Sequence, residues 1–487
     1  MKKDMQLKKE LNEWFGNAKG DILAGMVSSC AVIPEVVGFC IVAGISPMMG
    51  LYASFWLTVL MAFIGGRPGM ISAAAGSMTM VIVSLVRDHG PEYLMVATIL
   101  CGVIMSILGI LKVGNLVKLI PNSVNIGFVN ALAILIFTSQ FVNFEGEGWQ
   151  MYALVALGIA IIYLFPRVTK VVPSTLVAVI VVTAIAIFGD VQVRTIGDIG
   201  NITATLPAFH IPAVPMTLET LLIVLPYSFS LALVGLVETL LTSKVIDEMT
   251  DTAGDRNREC RGLGIANVVS GFFGGTCGCA MIAQAIVNVN SGGRGRLSNF
   301  TSGAFLMVLI FLLNDFMVQI PLAALVAVMI TASIATFDWD SLRNLTKMPR
   351  TDALVIVVVV AVVTVTSNLA YGVVIGLVLT AVFFAMQMSK IKVDKVLHGN
   401  TVTYNVIGQI FFASTEPMMD AFDFKGDAEL VILDFSNARL LDESAATALK
   451  KSVSKFESYG KQVEVRGLDS GSVTLVSTLY GSKKRSV

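Results

Sequence analysis

The 487-residue chain is 55% hydrophobic and only 14% charged, and its 34 basic and 34 acidic side chains cancel to a net charge of zero. Soluble domains carry about 25% charged residues, so an ordinary water-soluble fold is excluded and a polytopic α-helical membrane protein is indicated. Zero net charge argues against nucleic acid as a partner, and the six cysteines, set among apolar or small residues, give no disulfide framework.

Residues 1–20 are charged and amphipathic. They lack the apolar stretch of a cleavable signal and are expected to stay on the protein at the cytoplasmic surface. Apolar windows then follow near 22–42, 45–64, 71–87, 92–111, 118–142, 149–166 and 171–189. After a polar interval at 190–217, a second set lies near 219–243, 262–275, 277–291, 299–315, 318–336, 351–368 and 371–389. This gives about fourteen membrane spans within residues 21–389.

Charge placement tests the count. Loops predicted on the N-terminal side hold Lys2, Lys3, Lys8, Lys9, Lys19, Arg67, Lys112, Lys118, Arg167 and Lys170. The same side continues with Lys244, Arg256, Arg258, Arg261, Arg294, Arg296, Arg343, Lys347 and Arg350. The other side has little beyond Arg87 and Arg194 and carries Glu145, Glu147, Asp190 and Asp198. Both termini are therefore predicted to be cytoplasmic, in the plasma membrane. Seven spans per set is odd, so residues 21–189 and 218–389 read as inverted repeats.

The first and eighth spans each bury one acid in an apolar run, Glu35 in AVIPEVVGF and Glu238 in VGLVETLLT. Such a group costs at least about 2.5 kcal/mol to insert and is a functional candidate by default. Pro34 is expected to kink or break the helix just before Glu35; a solvated position at the membrane rim is the alternative for Glu35. The third span opens RPGMISAAAGSMTM and the tenth opens GGTCGCAMI, both rich in small residues before turning apolar. Two opposed half-helices meeting near the midplane would present their positive ends to an anion without any basic side chain; a small-residue helix interface is the other reading. Cys277 and Cys279 are spaced too closely for a zinc half-site and have no partner nearby. The run KVIDEMTDTAGDRNRECRG reads as a solvated cytoplasmic loop, with a short surface helix as the alternative, whose charges set topology, and Asp315 and Asp338 read as interfacial.

After Met388 the composition changes. Thr401–Ile407, Gln409–Ala413, Glu429–Phe435 and Gln462–Arg466 read as strands, with helices near 415–422, 443–457 and 469–480. That order implies a small α/β domain with a mostly parallel sheet.

These segments together resemble the sulfate-permease (SulP) anion transporters. The resemblance rests on IPEVVGFCIVAGISPMMGLYASF (33–55), GGRPGMISAAAGSMTMV (65–81), GLVETLLTSKVIDEMT (235–250) and SGFFGGTCGCAMIAQAIVNVNSGG (270–293). The tail, residues 398–487, resembles their STAS domain. It implies a uracil-permease-like fold of seven plus seven spans, a core domain moving against a gate domain, and a homodimer. It implies an anion site at the backbone of Ala75, Gly76, Ser77 and Met78 and of Gly278, Cys279, Ala280 and Met281, faced by Glu35 and Phe39. It also places Glu238 where sodium-dependent bicarbonate transporters of the family hold a cation. Two departures follow. Ala280 stands where those relatives have a threonine ligand, and Gln284 stands where many members have an arginine. A singly charged anion, or protons carried with it, fits that pattern better than a sodium site. Ser444 occupies the position of the phosphorylated serine of anti-sigma-factor antagonists, while a helix cap by Asp442 or Ser444 is the plainer role.

The function so implied is secondary-active transport of a small inorganic anion, sulfate first, coupled to H+ or Na+. A bicarbonate or carboxylate carrier, an anion channel and a nucleobase transporter are the alternatives. The sequence offers no nucleophile–base pair, metal cluster or nucleotide motif, so neither enzyme activity nor a cofactor is expected. His89, His210 and His398 fall in predicted loops or the linker.

Overall fold

The computed structural model describes residues 10–115, 121–169, 173–198 and 206–480. Of the charges used above to assign sides, Lys2, Lys3, Lys8, Lys9, Lys118 and Lys170 lie outside the described residues. The chain divides into two compact units after Leu377.

A helix falls in each predicted window of the first set: α1 (Ala18–Ala43), α2 (Pro47–Ile64), α3 (Gly76–His89), α4 (Pro91–Ile110), α5 (Asn122–Ser139), α6 (Trp149–Leu164) and α7 (Ser174–Phe188). The second set gives α8 (Leu218–Thr250), α9 (Arg256–Phe272), α10 (Ile282–Asn290), α11 (Arg296–Val318), α12 (Leu322–Thr336), α13 (Arg350–Thr366) and α14 (Leu369–Met388). Among the described residues, eight helices are long and apolar enough to cross a membrane. The nine residues of α10 rise only about 14 Å, roughly half of a bilayer's hydrocarbon core.

The helices of the first unit sort into two assemblies: α1–α4 pack with α8–α11, and α5–α7 pack with α12 and α13. Small residues set the closest approaches. Gly102 of α4 and Gly264 of α9 lie backbone to backbone, Gly25 of α1 faces the Ser298 carbonyl of α11, and Gly158 of α6 faces Ala327 of α12. Packing through small residues replaces the hydrophobic drive that lipid removes. Between the assemblies, α1 meets α7 and α12, with Gly38 against Met329. An apolar cavity of about 330 Å³ lies at this boundary, with Cys30 and Val37 on one wall and Val179, Ile180 and Leu325 on the other.

Several of the charges used to assign sides form ion pairs. Arg67 pairs with Asp247 at 2.8 Å and Arg296 with Glu13 at 2.8 Å, while Arg194 pairs with Glu147, both assigned to the opposite side. The presumed loop after α8 is corrected: α8 continues to Thr250 and α9 begins at Arg256, capped by Asp255. Helix residues that outrun the bilayer are as polar as a loop, and composition alone does not separate the two. Pro34 lies inside α1, which runs through it without a break.

The tail forms a four-stranded sheet in the order β3 (Lys392–His398), β4 (Thr401–Ile410), β5 (Leu430–Leu440) and β6 (Gln462–Arg466). β3 pairs antiparallel with β4, and the other two pairings are parallel. Helices α15 (Thr415–Asp420), α16 (Glu443–Ser458) and α17 (Ser470–Tyr480) complete it. The first strand starts at Lys392, ahead of the expected boundary at 398, because KVDKVLH is largely exposed and reads as a polar linker. The expected strand break at Gly408 is one strand carrying an irregularity between Asn405 and Ile407, with Gly408 at φ 126°. Alternate residues Val402, Tyr404 and Val406 of β4 are buried against Val431, Leu433 and Phe435 of β5 and Phe456 of α16. Asp442 caps α16 by accepting the Ala445 N–H at 2.9 Å, and it also accepts the Phe412 N–H at 2.8 Å. Asp442→Ala is expected to cost the tail about 1 kcal/mol, measurable as a lower chemical-denaturation midpoint.

Candidate functional site

Two short extended segments cross in the middle of the first unit. β1 (Ser72–Ala73) pairs antiparallel with β2 (Cys279–Ala280), Ser72 opposite Ala280 and Ala73 opposite Cys279. Each leads within three residues into a half-helix, β1 into α3 and β2 into α10. The N-cap residues Ala75 and Met281 are extended and supply no side-chain acceptor to the first-turn N–H groups. Because the strands run in opposite directions, the positive ends of α3 and α10 face each other across the crossing.

Buried polar side chains hold the two segments. Thr58 donates to the Ser72 carbonyl at 2.6 Å, and Ser54 accepts the Ala74 N–H at 3.2 Å. Asn267 closes on Gly278 from both sides, donating to its carbonyl at 3.0 Å and accepting its N–H at 2.9 Å. Thr239 accepts the Ala280 N–H at 3.1 Å. These residues escaped the sequence reading, although Asn267 is a lone amide in an apolar stretch of α9, the signal that drew attention to Glu35 and Glu238.

The predicted site residues converge here. Glu238 of α8 is 7% exposed, and its carboxyl accepts the Ser77 hydroxyl and the Cys279 thiol, the latter at 3.2 Å. The Phe39 ring packs on Gly76, the first residue of α3. One turn earlier on α1 stands the half-buried Glu35, and Gln284 lies buried in the first turn of α10. Ala75 and Met281 precede the half-helices, and Met78 turns toward Gly235 of α8. The Ala280 methyl faces away into an apolar cluster with Met70, Ile246, Ala285 and Val289. Ser444 belongs to the other unit, exposed in the first turn of α16.

Among the described residues, no basic side chain joins the crossing. Arg67 bonds Asp247, the Ile246 carbonyl and the Thr250 and Thr252 hydroxyls; Arg296 bonds Glu13; and Arg294 bonds the Val289 carbonyl. Beside Arg67, Glu259 is buried and accepts the Gly66 and Arg67 backbone N–H groups at 2.6 and 2.9 Å, which ties the loop before β1 to the start of α9. Positive potential at the crossing comes from backbone N–H groups, and negative charge comes from two carboxyls.

Comparison with known proteins agrees with this architecture. The Sulfate permease family matches residues 18–151 and 148–359, and the STAS domain matches 392–475. YbaR of Bacillus subtilis (strain 168), named as a candidate sulfate transporter, is 54% identical over 468 residues, covering 96% of this chain and 98% of YbaR. The bicarbonate transporter BicA of a Synechocystis strain is 27% identical, covering 93% of this chain and 89% of its own. The solved transmembrane domain of a cyanobacterial BicA superposes with a TM-score of 0.67 at 28% identity, over 75% of this chain and 98% of that one. Murine solute carrier 26 member A9, in its inward-facing state, shares the fold at 17% identity with a TM-score of 0.83, over 96% of this chain and 87% of its own. With its membrane-spanning part and its tail both matched, the chain belongs to the sulfate permease family of anion transporters and carries a C-terminal STAS domain.

Proposed function

We propose that the protein is a secondary-active carrier that moves sulfate with protons across the cytoplasmic membrane, by displacement of the α1–α4/α8–α11 assembly against the other. The observation that carries this reading is Glu238, set beside the start of α3 with the Ser77 hydroxyl and the Cys279 thiol as its donors. The first-turn N–H groups of α3 and α10, with Ala75–Met78 and Gly278–Met281 around them, bind the anion. Protons suit Glu238 better than sodium does. The Cys279 thiol is a poor ligand for a hard cation, and position 280 offers a methyl group in place of the threonine of the sodium-dependent relatives. Sulfate stands first because YbaR, 54% identical, is named for it. Bicarbonate is the second reading, favoured by the lack of a basic side chain at the crossing and by the likeness to BicA.

Arg67, Arg256 and Arg296 gather with the N-terminal Glu13 at one end of the bundle, which supports cytoplasmic termini. A homodimer is proposed on the family resemblance. Ser444 is proposed as a secondary, regulatory site, since Asp442 already caps α16 and leaves the serine exposed.

The test is uptake of labelled sulfate and labelled bicarbonate into proteoliposomes under an imposed proton or sodium gradient. Sulfate accumulation driven by the proton gradient and indifferent to sodium is the expected result. Bicarbonate uptake that requires sodium would overturn both the substrate and the coupling ion. Uptake with neither gradient dependence nor counterflow would indicate a channel.

A further inference from the structure

The strand pair β1–β2 is two residues long, a single point of attachment between the two half-helices. One attachment fixes where the chains cross but leaves the angle between α3 and α10 free; a second fixes the angle. Asn288, fully buried and nearly two turns into α10, supplies the second. Its Nδ2 donates to the carbonyl of Gly69, three residues ahead of β1, at 2.8 Å. Gly69 stands at φ 76°, a left-handed turn that glycine adopts without strain.

The rest of the amide is engaged as well. Nδ2 also donates to the Ser298 hydroxyl of α11 at 2.9 Å, and that hydroxyl donates onward to the Gly295 carbonyl at 2.9 Å. The Ser28 hydroxyl of α1 lies 3.3 Å from Oδ1 and 2.9 Å from the Ala24 carbonyl. A carbonyl can only accept, so the Gly69 bond dictates which end of the amide faces which neighbour. One side chain thus joins α1, α10, α11 and the approach to β1.

Gly69 also begins a run of four carbonyls that each find a donor. Met70 accepts from Asn299 Nδ2 at 2.8 Å, Ile71 from the Met281 N–H at 3.1 Å, and Ser72 from the Thr58 hydroxyl at 2.6 Å. Asn299 belongs to α11 and Thr58 to α2, while Met281 adjoins β2 at the crossing itself. Of the four donors, Asn288 alone joins the body of one half-helix to the segment that leads into the other.

We infer that Asn288 is a positioning residue of the anion site: it sets the angle between α3 and α10, hence the separation of their N-terminal ends and the size of the anion admitted. The inference rests on the half-helix site proposed above. A side chain can follow a larger or smaller anion by rotating its bonds. Backbone N–H groups at a helix end cannot, so selection by size requires the helices themselves to be held. In a preorganised site a displacement of about 1 Å costs up to about a hundredfold.

The experiment measures uptake of labelled sulfate into proteoliposomes, with molybdate, a larger tetrahedral dianion, as competitor. If the proteoliposomes carry bicarbonate instead, the pair is bicarbonate and acetate. Asn288→Ala frees the angle without adding bulk. It is expected to raise KM for the transported anion about tenfold and to move the competitor's inhibition constant by less than about threefold, so that discrimination by size narrows. Ser298→Ala keeps the Gly69 bond but removes the hydroxyl that aligns the amide, and is expected to raise KM about threefold. It carries the test alone should Asn288→Ala not elute as a folded species. A merely structural Asn288 would lower Tm or yield and leave both constants of the folded protein unchanged, or shift them by one common factor; either result overturns the inference. Gln284→Glu tests the site separately, since a carboxylate in the first turn of α10 is expected to weaken anion affinity at least about tenfold. Affinity lost there, with KM unchanged in Asn288→Ala and Ser298→Ala, overturns the inference and leaves the site standing. Unchanged affinity in Gln284→Glu overturns the half-helix site, and the inference with it.

Discussion

Glu238→Gln is expected to abolish accumulation of the anion against its gradient while leaving one-for-one anion exchange in place. Glutamine keeps the size of the side chain and an oxygen to accept the Ser77 hydroxyl, so the contact between α8 and the start of α3 survives. What it removes is the ability to alternate between a charged and a neutral state. In a carrier the driving ion acts only through its differential effect on the two faces of the cycle. A residue fixed as neutral passes nothing from the proton gradient to the anion. Gradient-driven sulfate uptake into proteoliposomes is expected to fall by at least about tenfold, the equivalent of about 1.4 kcal/mol of lost coupling. Counterflow of labelled against unlabelled sulfate, which needs no net proton movement, is expected to persist. Equal loss of both would make Glu238 a structural prop for the crossing, and no loss of either would remove it from the mechanism.

Glu238 and Glu35 together also show what a sequence makes legible here. Both glutamates stand out because an acid in an apolar run is expensive, and both lie at the crossing. The half-helices stand out because Gly, Ala and Ser replace bulky residues just before α3 and α10, and the structure puts the break in helix at those positions. The polar clamp was harder to see. Ser54, Thr58, Thr239 and Asn267 are compatible with an ordinary helix packing face, and only their partners, backbone groups remote in sequence, show their purpose. Long-range pairing hid Glu259 as well: it sits in a run of alternating charge, yet is 1% exposed because the Gly66 and Arg67 N–H groups satisfy its carboxyl. In the tail, Gly408 looked like a strand end because glycine usually punctuates strands, while the pairing of β4 with β5 carries on past it.

Gly278→Ala is expected to be severely damaging to the transport unit. A Cβ built on Gly278 would overlap the Ala73 carbonyl oxygen and a Leu57 methyl. The leucine can rotate, but the carbonyl belongs to the backbone of β1, directly opposite Cys279 in the strand pair. Moving it separates β1 from β2 and pulls Gly278 away from Asn267, whose amide would lose both of its bonds to that residue. Overpacking a rigid site costs about 3 kcal/mol, and each buried polar group left unpaired adds about 1–3 kcal/mol. Gly274→Ala, four residues earlier, is the control. That position has φ 72° with nothing near a Cβ, so the substitution meets backbone strain without a clash and should cost roughly 1 kcal/mol. In detergent, Gly278→Ala is expected to lower the apparent Tm by roughly 6 °C or more, or to yield no monodisperse protein, while Gly274→Ala shifts it by only a few degrees. Equal stability of the two variants would mean that the crossing yields where its geometry says it cannot. The half-helix ends would then be held less rigidly than an anion site built from backbone N–H groups requires.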